Sequence, residues 1–215
     1  RHPTHTVDRP VTQPDPSYAK IPTITVGLRP HTLPAPITED TPPAAVTMLL
    51  GTLHALPDGG MRIVFDVTGD PARLRIPAAS EPGKADGLWQ HTCFEAFIAT
   101  PGEEAYREFN FSPSGQWAGY AFSRYRERNT VADPSFTPRM QCRVDAGHLM
   151  LEVELPASAL PSVSTGVSLQ VGLAAVIELA DGSLDYWAVH HPAAQPDFHH
   201  RGGWVLSFDP RMISA

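Results

Sequence analysis

The sequence predicts an all-β protein, an antiparallel two-sheet β-sandwich, and three observations carry that expectation. Apolar and polar residues alternate with a period of two in several short segments between Val46 and Phe208. Turn-forming residues separate these segments at hairpin spacing. Helical periodicity is confined to one brief stretch, PASAL at 156–160, whose leading proline suits a first helical turn.

Residues 1–45 hold ten of the 23 prolines and few large apolar side chains. Proline blocks helix and central strand alike, so residues 1–26 read as a flexible, proline-rich tail and 27–215 as the folded domain. LRPHTLPAPI, 28–37, reads as an edge segment against it. Val46 to Leu53 is a short apolar strand. In MRIVFDV, Ile63, Phe65 and Val67 share a face. ALPDGG, with Asp58-Gly59, marks the hairpin between these two.

Further along, HTCFEAFIA sets Phe94, Ala96 and Ile98 on one face and Cys93, Glu95 and Phe97 on the other. SPSG (112–115) joins YREFNF to QWAGYAF, and HLMLEVEL alternates without a break. ADGS (180–183) separates SLQVGLAAVIEL from LDYWAV, and GWVLSF closes the series. About ten short strands result, the number and spacing of a sandwich or barrel.

Hydrophobic residues make up 42% and charged residues 18%, with a net charge of −7. That balance argues against a general nucleic-acid binder and against docking on anionic lipid. No apolar run approaches the roughly 20 residues of a membrane span. The expectation is a soluble protein, cytoplasmic rather than periplasmic, although the N-terminal residues carry little weight on export because the sequence does not begin with Met. Cys93 and Cys142 form no CxxC pair; two buried thiols are expected, with a disulfide between neighbouring strands as the lesser reading. Motifs for a zinc protease, a nucleophile elbow, a phosphate loop and a dinucleotide fold are lacking.

Three stretches offer functional chemistry. In GLWQHTCFEAFI, Trp89 stands just before a strand and Glu95 follows six residues on. A ring at a strand mouth can stack on the C–H face of a sugar while a carboxylate takes its hydroxyls. The bland alternative packs Trp89 at the core edge and pairs Glu95 with Arg107 or Arg124. In the hairpin from Tyr106 to Arg128, Tyr106, Glu108 and Asn110 share one face, so Asn110 and Arg124 can border a ligand or belong to a solvated face. HHPAAQPDFHH, 190–200, holds four histidines. Its spacing matches no ligand motif, so a metal site on His190, His191, His199 and His200 ranks below a stiff loop bordering a pocket, with His190 and His191 against the ligand.

Taken together, LWQHTCFEAFI, YREFNFSPSGQWAGYAFSRYR and DYWAVHHPAAQPDFHHRGGWVLSF resemble the bacterial DOMON-like proteins, a group similar to the family-nine carbohydrate-binding modules. The likeness runs from about Val46 to Phe208. It implies a sandwich of two antiparallel sheets and, from the carbohydrate-binding relatives, two tryptophans that clamp a terminal sugar while a glutamate holds its hydroxyls. The first Trp and the Glu match Trp89 and Glu95, and Trp187 is the candidate second ring. Where those relatives have an asparagine three residues earlier, this chain has Leu184. Other DOMON domains bind haem b through a Met and a His, here Met61, Met140 or Met150 with His190, His191, His199 or His200.

The expectation is therefore a non-catalytic module for a sugar or similar small polar ligand, without a cofactor. The alternatives are a haem b electron-transfer domain, a metal-dependent enzyme using the histidine loop, and an interaction protein that recruits a protein partner through residues 1–26.

Overall fold

The computed structural model describes residues 23–32, 41 and 43–211. Thirteen strands appear among them: β1 (Thr23–Pro30), β2 (Val46–Ala55), β3 (Met61–Gly69), β4 (Gly83–Lys84), β5 (Cys93–Ala99), β6 (Tyr106–Phe111), β7 (Gln116–Arg124), β8 (Glu127–Arg128), β9 (Arg139–Val144), β10 (His148–Leu155), β11 (Leu169–Glu178), β12 (Leu184–Ala188) and β13 (Leu206–Phe208). PASAL supplies only a 3-10 turn at Ala157–Ala159.

The strands follow one hydrogen-bonded path, β4-β7-β6-β5-β11-β12-β1-β2-β3-β10-β9, with β13 beside β11 and β8 beside β7. All of these pairings are antiparallel except β4 with β7. The path folds over at β1. Thr23 to Leu28 pairs with β2, while Arg29 and Pro30 pair with β12. The two leaves therefore share one strand, and the sandwich follows when they close face to face.

The three expected hairpins form. Leu56 N–H donates to the Gly60 carbonyl at 3.0 Å, and Gly59 takes a φ of +81°, which glycine adopts without a steric cost. Ser112 N–H donates to Gln116 O at 2.9 Å, and Leu179 N–H to Ser183 O at 2.9 Å. The period-two faces meet between the leaves. Leu53, Ile63, Phe65, Leu151 and Val153 come from one leaf, and Phe94, Ile98, Phe109, Val171 and Leu173 from the other, all within one buried cluster. Phe65 and Phe94 meet across it with ring centroids 5.0 Å apart.

Some boundaries differ from expectation. The strand begins at Thr23, not after residue 26, because the β-branched run Thr-Ile-Thr-Val pairs in register with Gly51 to His54. Residues 1–22 lie outside the described residues, as do 33–37 of the expected edge segment. Leu28 to Pro30 instead sits inside the path, between β2 and β12. Both cysteines are free thiols; Cys93 is buried in β5 and Cys142 is half-buried in β9, on different leaves.

The leaf holding β5 and β11 is covered on its outer side as well. There Phe97, Ala99, Tyr106, Phe122, Ala174, Ala188 and Trp204 form a second buried cluster. Gly172 makes room for it: a Cβ at that position would overlap the Trp204 indole. Gly172→Ala should therefore cost about 1–3 kcal/mol by displacing the ring, read as a lowered denaturation midpoint. An unchanged midpoint would mean that Trp204 is loosely seated.

Candidate functional site

Past the edge of that second cluster, the outer face of β5, β6, β7, β11 and β12 is left open as a cleft of about 490 Å³. Strand parity decides which side chains reach it. Glu95 is opposite Asn110 and Ala174, and Glu108 is opposite Phe97 and Tyr120, so these residues share the outer face. The floor is built from Glu95, Glu108, Tyr120, Phe122, Val176 and Tyr186. Trp89 forms one rim, and Arg126, Arg128, Pro196, Phe198 and His199 form the others.

Trp89 sits on a 3-10 turn, Leu88–Gln90, entered through Gly87 at a φ of +72°. The turn is moored at its end, where His91 Nδ1 lies 2.8 Å from Glu178 Oε2 and Arg75 Nη1 donates to Glu178 Oε1 at 3.1 Å. The hydrogen bonds from His91 and Arg75 hold the Glu178 carboxyl below its ordinary range. So anchored, the indole is 53% exposed and stands over the cleft rather than in the core.

Two carboxyls lie on the floor. Glu95 is only 3% exposed, and no described residue hydrogen-bonds its carboxyl. Burial and the neighbouring charge of Glu108 push it well above the carboxylate range, which favours its protonated form. Glu108 is also raised by burial, against the Asn110 hydrogen bond and the two nearby arginines that favour its charge. Asn110 Nδ2 donates to Glu108 Oε1 at 2.9 Å. Asn110 Oδ1 is buried without a partner, beneath the cleft surface and beside Glu95 in register.

The histidine loop forms the far wall through a chain of hydrogen bonds. Arg126 N–H donates to the Tyr106 hydroxyl at 3.0 Å, and that oxygen lies 2.8 Å from His199 Nδ1. Tyr106 therefore donates to Nδ1, which leaves Nε2–H facing Glu108 Oε2 at 3.4 Å. Burial and the Arg126 charge lower the His199 pKa to about 4, so the approach to Glu108 is that of a neutral ring. Asp197 ties the loop to the β7–β8 turn, accepting from Tyr125 Oη at 2.7 Å and Arg126 Nη2 at 2.9 Å. Those bonds outweigh its burial and keep it ionised. Arg128 stacks over Tyr120 at 4.5 Å and donates to Asp133 at 2.8 Å.

Of the residues expected at a ligand site, Trp89 and Glu95 meet in the cleft, with Asn110 just beneath. Trp187 does not join them. It is 7% exposed and faces the inter-leaf core, because its partner Ala175 has inward parity while Val176 and Tyr186 face the cleft. Arg124 points away to solvent, bonded to Glu127 at 2.6 Å, after a register shift between Phe122 and Arg124. His190 is exposed outside the cleft, and His191 donates to or accepts nothing there: its Nε2 lies on the Arg29 carbonyl at 2.7 Å. His200 accepts from Gly202 N–H at 3.1 Å.

The four histidines thus diverge, and among the described residues no group of three or more His, Cys, Asp or Glu could hold a metal. Met61 is buried in the core on β3, and Met140 and Met150 lie on β9 and β10, in the leaf opposite to the histidine loop, so no expected Met–His pair is brought together. Tyr120, Phe122, Tyr186 and Phe198 are cleft residues that the sequence reading does not single out, and it offers His199 only as a metal or haem ligand. The parity of YREFNF and QWAGYAF was available for the first two.

No family model and no curated protein matches the chain. Among solved structures, it is similar to one described as a "putative carbohydrate-binding protein" from Bacteroides uniformis ATCC 8492, at 16% identity and a TM-score of 0.58, over 87% of this chain and 86% of that one. It is also similar to a family-nine carbohydrate-binding module from Caldicellulosiruptor kristjanssonii, solved with cellotriose (8% identity, TM-score 0.49, 99% and 88% covered) and with glucose (8%, 0.46, 98% and 88%). At these identities the likeness is one of fold.

His199 carries a pH signature. A folded pKa near 4 against about 6.5 unfolded means that its contribution is full above pH 6.5 and is lost as pH falls from 6.5 towards 4. The raised Glu95 and Glu108 act in the opposite sense, losing stability as pH rises above about 4.5. The difference between wild type and His199→Gln isolates the ring. Relative to the variant, wild type should lose on the order of 3 kcal/mol between pH 7 and pH 4, measured by denaturant melts. A difference that stays flat with pH would show that the ring is not held neutral.

Proposed function

We propose that this protein is a non-catalytic, DOMON-like module that binds a saccharide in the cleft under Trp89. The observation that carries this reading is an exposed indole standing over a buried, unpartnered carboxyl. An aromatic face packs against the apolar side of a pyranose, and the carboxyls beneath it match hydroxyls. The stated carbohydrate-binding character of the Bacteroides uniformis structure, which shares the fold, supports the same reading.

Two carboxyls of unequal proton affinity also invite comparison with a glycosidase, in which an acid and a base flank the scissile bond. Glu95 and Glu108 instead project from one face of one leaf and meet a ligand from the same side.

A thermal-shift panel of mono- and disaccharides tests the proposal. A ligand at a hundredfold excess over Kd should stabilise the protein by about 2.7 kcal/mol. Trp89→Ala should weaken that ligand at least tenfold while changing the unliganded stability by less than about 0.5 kcal/mol, as expected of an exposed ring. A stability loss of about 3–5 kcal/mol would instead mark the indole as core, and a panel without any shift would count against a saccharide ligand.

A further inference from the structure

We infer that the ligand carries a primary ammonium group, seated on Glu95 and Glu108 at the cleft floor; on the saccharide reading, on which this inference rests, it is an amino sugar. The argument begins with donors and acceptors. Both carboxyls are nine-tenths or more buried, and Asn110 Oδ1 beside them is buried without a partner. Glu95 has no hydrogen-bond donor or cation among the described residues, although its carboxyl lines the cleft. Buried acceptors left unmatched carry a desolvation cost that a bound donor relieves.

The local cations are already committed. Arg126 is bound to Asp197 and Arg128 to Asp133. Both favour charge on Glu108 through space, and neither is among the groups that stabilise charge on Glu95. The other titratable groups facing Glu95 do not help: Cys93 is a buried thiol held protonated, Tyr120 holds its proton and donates it to Asp86, and His199 is neutral.

A neutral hydroxyl supplies one donor and no charge. An ammonium supplies three N–H donors and a positive charge, which matches the two carboxyls that line the cleft. The ring faces of Trp89, Tyr186 and Phe198, which carry no arginine, add the attraction of an aromatic wall for a cation. Binding would convert the Glu95 acid and the ammonium into a carboxylate–ammonium pair, and the acid's proton leaves to the buffer.

Calorimetry with glucosamine, N-acetylglucosamine and glucose tests this, at about pH 6, below the roughly 7.7–8.0 at which an α-amino group titrates. We expect glucosamine to bind at least tenfold tighter than the other two, with net proton release measured from the heats in two buffers of different ionisation enthalpy. Glu95→Gln should remove both the preference and the proton release. If that variant fails to fold, the affinity ratio and proton count of the wild type still decide. Equal or tighter binding of glucose or N-acetylglucosamine, or a preference that survives in Glu95→Gln, would overturn the ammonium and leave the saccharide reading standing. Silence from all three, together with the mono- and disaccharide panel, would overturn the saccharide reading and this inference with it.

Discussion

The seating of Trp204 on Gly172 is the contact on which the rest of the cleft depends. The indole stacks on Phe97 at 5.6 Å and meets Tyr106 edge-on at 4.8 Å. Its Nε1–H donates to the Phe198 carbonyl at 2.8 Å. One ring therefore covers part of a strand face and fixes the position of a residue that lines the open remainder. Removing the Cβ at position 172 is what lets the ring lie flat against β11. Both faces of β5 are buried as a result, its inner face by the opposite leaf and its outer face by this cover, until the cover ends at Glu95.

That ending is electrostatically costly. Two carboxyls on neighbouring strands share a poorly solvated floor, and the protein answers with proton affinity rather than with ion pairs. The arginines that could have neutralised them are spent on Asp197 and Asp133 instead. A fold selected for stability alone would replace such acids with apolar side chains of similar volume. On the proposed reading, their presence beneath an exposed indole puts the chemistry of the cleft at Glu95 and Glu108, and the Asn110 amide holds the second of them in place.

Period-two alternation made most of the sandwich legible. It separated Phe94, Ala96 and Ile98 from Glu95 on one strand and grouped Glu108 with Asn110 on another; the structure turns the first set inward and brings Glu95, Glu108 and Asn110 to one outer face. Alternation is informative only while one face is wet. LDYWAV carries a large ring on each face, so nothing in its sequence tells Tyr186 from Trp187, and the larger ring turns inward while the smaller one reaches the cleft. Arg124 was beyond reach for another reason: a bulge between β7 and β8 breaks the parity, so Arg126 and Arg128 reach the cleft in its place. In the histidine loop, long-range partners choose His199 over its three neighbours, and spacing does not encode Tyr106 or Glu108 as those partners.

The wall of the cleft is built before any ligand arrives. Asp197 accepts from Tyr125, from Arg126 and from the His199 backbone N–H, so a single carboxylate fastens the loop to the β7–β8 turn. Arg126 holds a φ of +54°, unusual for a residue with a side chain, and its N–H is taken by the Tyr106 hydroxyl. A backbone conformation of that kind persists only where its surroundings overdetermine it. The strap is therefore rigid, and little ordering remains to be done on binding. With the wall fixed, the proposed binding role leaves discrimination between ligands to the floor, where donors and charge must match Glu95 and Glu108, and to the exposed ring above them.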